Sequence, residues 1–239
     1  MEWNTKRFIV AAGVIFAWAS MAATADSATT PPDLNGVWMI ENAPVSLRTI
    51  DGSMAPLNVE GRAVYSRNQA LLKQHDFSFD LTRDRCASPG MPRMMTLPSA
   101  IEFFQRPYQL TMLIEWNHLY RLIRLRSEPK AGPYPLAIGT SNGHWEDRVL
   151  VIDTTGITEN TLLDSSGLPH SGQLSLNERI RLLPNGRMED LITVHDPKMF
   201  ERDWSFKLTF KKTGAKGVQE DVCLDRLEAG HPALAGDER

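Results

Sequence analysis

An all-β fold is what this sequence predicts: one antiparallel, lipocalin-like β-barrel with a single surface helix. Two observations carry that expectation. Short segments with a two-residue hydrophobic period follow one another through the second half of the chain, separated by tight polar turns. Nowhere do strands alternate with long helices, so a parallel βαβ sheet is excluded. A sequential meander of hairpins wraps and closes easily, which favours a barrel; a two-sheet β-sandwich is the second architecture.

Residues 1–25 read as a signal peptide. Lys6 and Arg7 form a short basic region, Phe8 to Trp18 an apolar core too short to span a bilayer, and Ala23-Thr24-Ala25 a cleavage site. The expected mature chain, residues 26–239, makes one domain, and its location is periplasmic or secreted with no membrane span after cleavage. Leu34 to Glu41 alternates as a first strand. Val59 to Gln74 carries apolar residues at helical spacing and is the surface helix. Cys86 to Pro98 is loop, with Met91, Met94 and Met95 as gap-filling core or as a lid over an apolar pocket.

From Ile101 the strands run nearly without interruption. Tyr108 to Trp116 and Leu119 to Arg126 form a hairpin about Asn117-His118, a register that sends Glu115 and Arg121 to opposite faces. The next hairpin turns at Glu146-Asp147 and sets His144 on one face with Val149, Val151 and Asp153. Gln173 to Leu183 and Arg187 to Asp196 meet at Asn185-Gly186, read as a two-residue turn. That register makes Glu178 and His195 diagonal neighbours on an inward face. Trp204 to Lys211 and Val218 to Leu224 complete about nine or ten strands, and residues 226–239 form a loose tail.

Loss of the leader takes the formal charge only from −3 to −4. There is no basic tract and no interleaved aromatic platform, so nucleic acid is not an expected partner. A small-molecule ligand or substrate is. Nothing in the sequence speaks to oligomeric state.

Several motifs belong together: GHWEDRVLVIDTTG (Gly143 to Gly156), LNGVW (Leu34 to Trp38), CASPGMPRMM (Cys86 to Met95), the Glu115…Arg121 pair, GLPHS (Gly167 to Ser171), NERIR (Asn177 to Arg181), HDP (His195 to Pro197) and Val222-Cys223. Over most of the mature chain these residues resemble a family of secreted bacterial proteins of unassigned function, marked by a GHWEGDTLVVDTTGF-like core. Here Asp147-Arg148 stands where that family carries Gly-Asp, a departure in the turn rather than in the strands. The resemblance implies a shared fold and export, and it implies no reaction.

Cys86 and Cys223 are the two cysteines, and in an oxidising compartment they either pair or stay as buried thiols. Neither has a second cysteine or a histidine at ligand spacing, so no metal and no cofactor is expected. His144, Asp153, Glu178 and His195 are the candidate catalytic set, because carboxylate and imidazole together supply acid and base. Trp145, Glu115, Arg121 and His170 are the candidate ligand contacts. No GxSxG or HExxH motif accompanies them. Three functions fit: binding of a largely apolar or aromatic small molecule, acid–base catalysis by Glu178/His195 or His144/Asp153, or a structural role in which the polar residues satisfy one another. Glu178 is the sharpest clue, since a lone inward carboxylate needs a partner or a purpose.

Overall fold

The computed structural model describes residues 1–2, 30–125, 132–234 and 237. Apart from Met1 and Glu2, the expected leader lies outside them. Nine strands follow one another around a closed barrel: β1 (Gly36–Ile40), β2 (Ala100–Arg106), β3 (Gln109–Ile114), β4 (Leu119–Arg124), β5 (Thr140–Glu146), β6 (Val149–Thr155), β7 (Ser175–Leu182), β8 (Met188–His195) and β9 (Trp204–Lys212). An odd ring cannot alternate direction throughout, so one neighbouring pair must be parallel. That pair is β4–β5, matched at only two positions, Ile123 opposite Ser141 and Arg124 opposite Asn142. A parallel step needs a connection that returns the chain to its starting end. The described part of that connection, residues 132–139, enters β5 through a turn ending at Gly139, whose φ of +66° suits glycine.

Alternation decides what lies inside. Trp38, Phe103, Met112, Ile123, Ile152, Ile180, Ile192 and Phe206 come from eight different strands, and each is at most 2% exposed. Burying side chains of this size stabilises the fold by about 1.5–3 kcal/mol each. A barrel of this strand number is just wide enough for its own side chains to fill.

The two ends differ. Tight turns close the end at which β1 begins. Residues 41–99, 156–174 and 196–203 gather at the other, where α1 (Val59–Lys73) lies across them. Asn58 caps α1 by accepting from the Gly61 amide at 2.9 Å, and Asn68 donates to the Gly167 carbonyl at 2.8 Å. A Cβ on Gly61 would sit 2.3 Å from the Met199 carbonyl oxygen, so only glycine allows this approach. A second short helix, α2 (Leu81–Arg85), precedes Cys86.

Two expectations for the C-terminus are corrected. Residues 218–224 form no strand: Asp221 makes a single bridge to Trp116, and Cys223 opens helix α3 (Cys223–Glu228). The stretch beyond residue 226 is not a loose tail either. Ala233 and Leu234 are buried, and the Trp116 indole donates to the Ala233 carbonyl at 2.9 Å. Of the residues expected as strand, Cys223 is buried, while Leu224 is 58% exposed. Cys86 and Cys223 form a disulfide, with Cα atoms 5.7 Å apart.

Candidate functional site

Register decides which flagged residues meet. The β7–β8 loop holds three residues, Pro184-Asn185-Gly186, closed by the Leu183 amide donating to the Arg187 carbonyl at 2.8 Å. Gly186 sits at φ +78°, the left-handed residue of a three-residue hairpin. Against a two-residue turn this is a slip of one, which exchanges the faces of the second strand. Glu178 therefore lies opposite Ile192 and remains inside, while His195 lies opposite Ser175 and points out. The exposed His195 ring hydrogen-bonds Asp203 at 2.6 Å. The expected Glu178–His195 couple does not form.

The β5–β6 turn is Asp147-Arg148, so His144 faces Val151 and Asp153 faces Asn142. This differs from the expected pairing by two residues and keeps the face assignment, but the shared face is the outer one. His144 contacts Glu146 at 3.2 Å, and Asp153 accepts from Asn177 at 2.8 Å. Both side chains are exposed, each with its own partner. Trp145 is half-buried on the inner face opposite Leu150. Glu115 and Arg121 do point to opposite sides. Glu115 accepts from the amides of Ala100 and Gln219, and Arg121 turns inward opposite Met112. His170 is buried in the 156–174 loop, bonded to Thr161 at 2.8 Å and Ser171 at 3.0 Å. Burial holds its pKa below the usual histidine value, so it is a neutral loop tie.

Inside the barrel Arg121 grips Glu178 with both terminal nitrogens, one at 2.8 Å and the other closer. The same guanidinium donates to Thr154 at 2.7 Å and to Ser141 at 3.0 Å. Asp190 completes the cluster. Neither of its buried carboxyl oxygens meets a protein donor. Burial, and then the charge of Glu178 beside it, pushes its carboxyl well above the ordinary aspartate value. Both causes favour the neutral, protonated acid for Asp190 beside the Arg121–Glu178 pair. Arg121, Glu178 and Asp190 are each at most 1% exposed, so the cluster is closed to solvent in this structure. Asp190, its third member, was not singled out from the sequence; its place between Glu189 and Leu191 on an apolar strand was the available signal.

The opening to solvent lies at the parallel seam. With only two paired positions, β4 and β5 separate above Ile123, and residues 132–139 run outside β4. Between them is a groove of about 580 Å³. Tyr120, Leu122 and Arg124 project from the outer face of β4, Leu136, Ala137 and Ile138 from the facing wall, and Ser141 lies where the groove meets the barrel. Because Ser141 hydrogen-bonds Arg121, one side chain separates this groove from the buried ionic cluster. Ser88 lines the end near His118, and its buried hydroxyl has no partner. That end is held by Asn117, which donates to the Cys86 carbonyl at 3.3 Å and accepts from the Cys223 amide at 2.8 Å. The disulfide and the β3–β4 turn are thereby one unit. Of the lining residues, Ser141 hydrogen-bonds Arg121, the His118 amide donates to the Glu115 carbonyl at 3.2 Å, and Ser88 belongs to the Cys86–Pro98 loop.

Among the described residues no three His, Cys, Asp or Glu side chains converge as a metal site would, and no helix is long and apolar enough to cross a membrane. Comparison with known proteins gives no match to a family model and none to a curated protein.

Proposed function

We propose that this is an exported β-barrel protein that binds a small, largely apolar or aromatic molecule in the groove between β4 and residues 132–139. The observation that carries this reading is the groove itself. Its volume of about 580 Å³ suits one small organic molecule. It leaves Tyr120 66% and Leu136 38% exposed, and it contains a buried hydroxyl, that of Ser88, with no protein partner. Apolar walls with a few placed polar groups are the usual composition of ligand sites. Export is supported by the leader-like residues 1–25 and by the disulfide, which suits an oxidising compartment. The resemblance to a family of secreted proteins points the same way.

Acid–base catalysis has less support, because the flagged imidazoles lie outside the barrel and the inner carboxylates are sealed. Fluorescence titration with N-phenyl-1-naphthylamine, a neutral aromatic probe, tests the binding reading. Tyr120→Ala and Leu122→Ala are each expected to weaken probe binding about tenfold, the loss of one buried apolar contact. Failure of the probe to bind, or binding by both variants as tight as that of the wild type, would overturn it.

A further inference from the structure

We infer that the ligand of this groove is an elongated apolar carboxylate, its anionic end seated on Arg124 and its far end offering a hydrogen-bonding group to Ser88. The inference rests on the binding proposal and specifies the ligand's chemistry. Arg124 is half-buried in the groove wall, and no acceptor among the described residues meets its guanidinium. It stands apart in this. Arg83, Arg93, Arg121, Arg179 and Arg226, the other buried or half-buried described arginines, each engage a carboxylate. Arg48, Arg67, Arg106, Arg148 and Arg202, which have no carboxylate partner, are all exposed to water. The Arg124 guanidinium stands in the groove wall without an acceptor among the described residues, and its planar fork matches a carboxylate.

Ser88 is a second, independent vacancy in hydrogen bonding. Its hydroxyl is buried at the end of the groove near the β3–β4 turn, with no donor or acceptor. Arg124 is at the other end of β4. From Leu119 to Arg124 a strand advances about 17 Å. Between them the lining is Leu119, Tyr120, Leu122, Leu136 and Ile138. A polar group at each end of an apolar channel selects a long molecule with an apolar body, rather than a compact polar one.

Displacement of bound N-phenyl-1-naphthylamine by three ligands of equal chain length tests this: dodecanoate, ω-hydroxydodecanoate and dodecanol. Dodecanoate is expected to displace the probe at about tenfold lower concentration than dodecanol, the effect of one charge-assisted hydrogen bond. Arg124→Gln should erase that preference, so that dodecanoate and dodecanol displace the probe at similar concentrations. ω-Hydroxydodecanoate should bind more tightly than dodecanoate, and Ser88→Ala should remove the difference. Equal displacement by dodecanoate and dodecanol, or a preference that survives Arg124→Gln, overturns the carboxylate assignment while probe binding keeps the groove. Loss of the Tyr120 dependence of probe binding overturns the groove itself.

Discussion

The guanidinium of Arg121 and the carboxylate of Glu178, 57 residues apart in the chain, form a two-point ion pair inside the barrel, with neither side chain more than 1% exposed. Such a pair is costly to break and cheap to replace. Arg121→Met leaves the Glu178 carboxylate without its cation and should destabilise the fold by about 3–5 kcal/mol. Arg121→Met combined with Glu178→Leu should recover most of that loss, because the interior is then uniformly apolar. Urea midpoints of the single and double variants decide the matter; a single variant as stable as wild type would mean the pair is absent in solution.

The disulfide between Cys86 and Cys223 closes a sequence separation of 137 residues. In the chain-entropy model a loop of this size adds about 4–5 kcal/mol of stability. Reduction, or Cys86→Ser with Cys223→Ser, should lower the urea midpoint accordingly. It should also weaken probe binding, since Asn117 ties both half-cystines to the wall carrying Ser88 and His118. Alkylation of the denatured, unreduced protein should label no thiol.

Gly186 makes the β7–β8 loop a three-residue hairpin at φ +78°, and a Cβ added there meets nothing within 4 Å. Gly186→Ala should therefore cost about 1 kcal/mol through backbone strain alone, with probe binding unchanged. A loss of several kcal/mol would show that the turn carries contacts beyond its own backbone.

This turn also explains what sequence reading reached and what it missed. The positions of the nine strands, the barrel, the helix from Val59 and the inward placement of Glu178 follow from two- and 3.6-residue periods, which are local properties; the strand expected over residues 218–224 does not form. Whether Asn185-Gly186 is a whole turn or part of one is not fixed by periodicity, and that single residue moved His195 from the interior to the surface. The partner of Glu178 was out of reach for a related reason: bringing Arg121 to it compounds the registers of several successive strand pairs. The groove was less legible still. It exists because an odd ring forces one parallel seam, and no local pattern marks β4–β5 as the place.

His195 and Glu178 should consequently behave independently. His195→Ala removes an exposed contact to Asp203 and should change stability by about 0.5 kcal/mol or less. Combined with Glu178→Gln, its effect should add to within about 0.5 kcal/mol in a double-mutant cycle. A larger coupling energy would restore the diagonal pairing that the three-residue loop rules out.

Asp190 supplies the pH dependence. Its carboxyl is pushed well above the ordinary value of 3.8, first by burial and then by the charge of Glu178. Folded protein therefore holds a proton that unfolded protein releases as pH rises past the ordinary aspartate range. Stability follows the difference in bound protons, so this group's contribution is complete below the unfolded pKa and declines as pH climbs toward the folded one. Within that window the decline approaches about 1.4 kcal/mol per pH unit. Asn has nearly the same shape, stays neutral and carries an amide that can donate to Glu178. Asp190→Asn should thus be close to wild type near the ordinary aspartate pKa and gain on it steadily at higher pH. The comparison is a pair of urea-midpoint profiles, wild type and variant, taken from mildly acidic to mildly alkaline buffer. Parallel profiles would mean Asp190 is ionised in the folded state, and the neutral acid inferred from its burial beside Glu178 would be wrong.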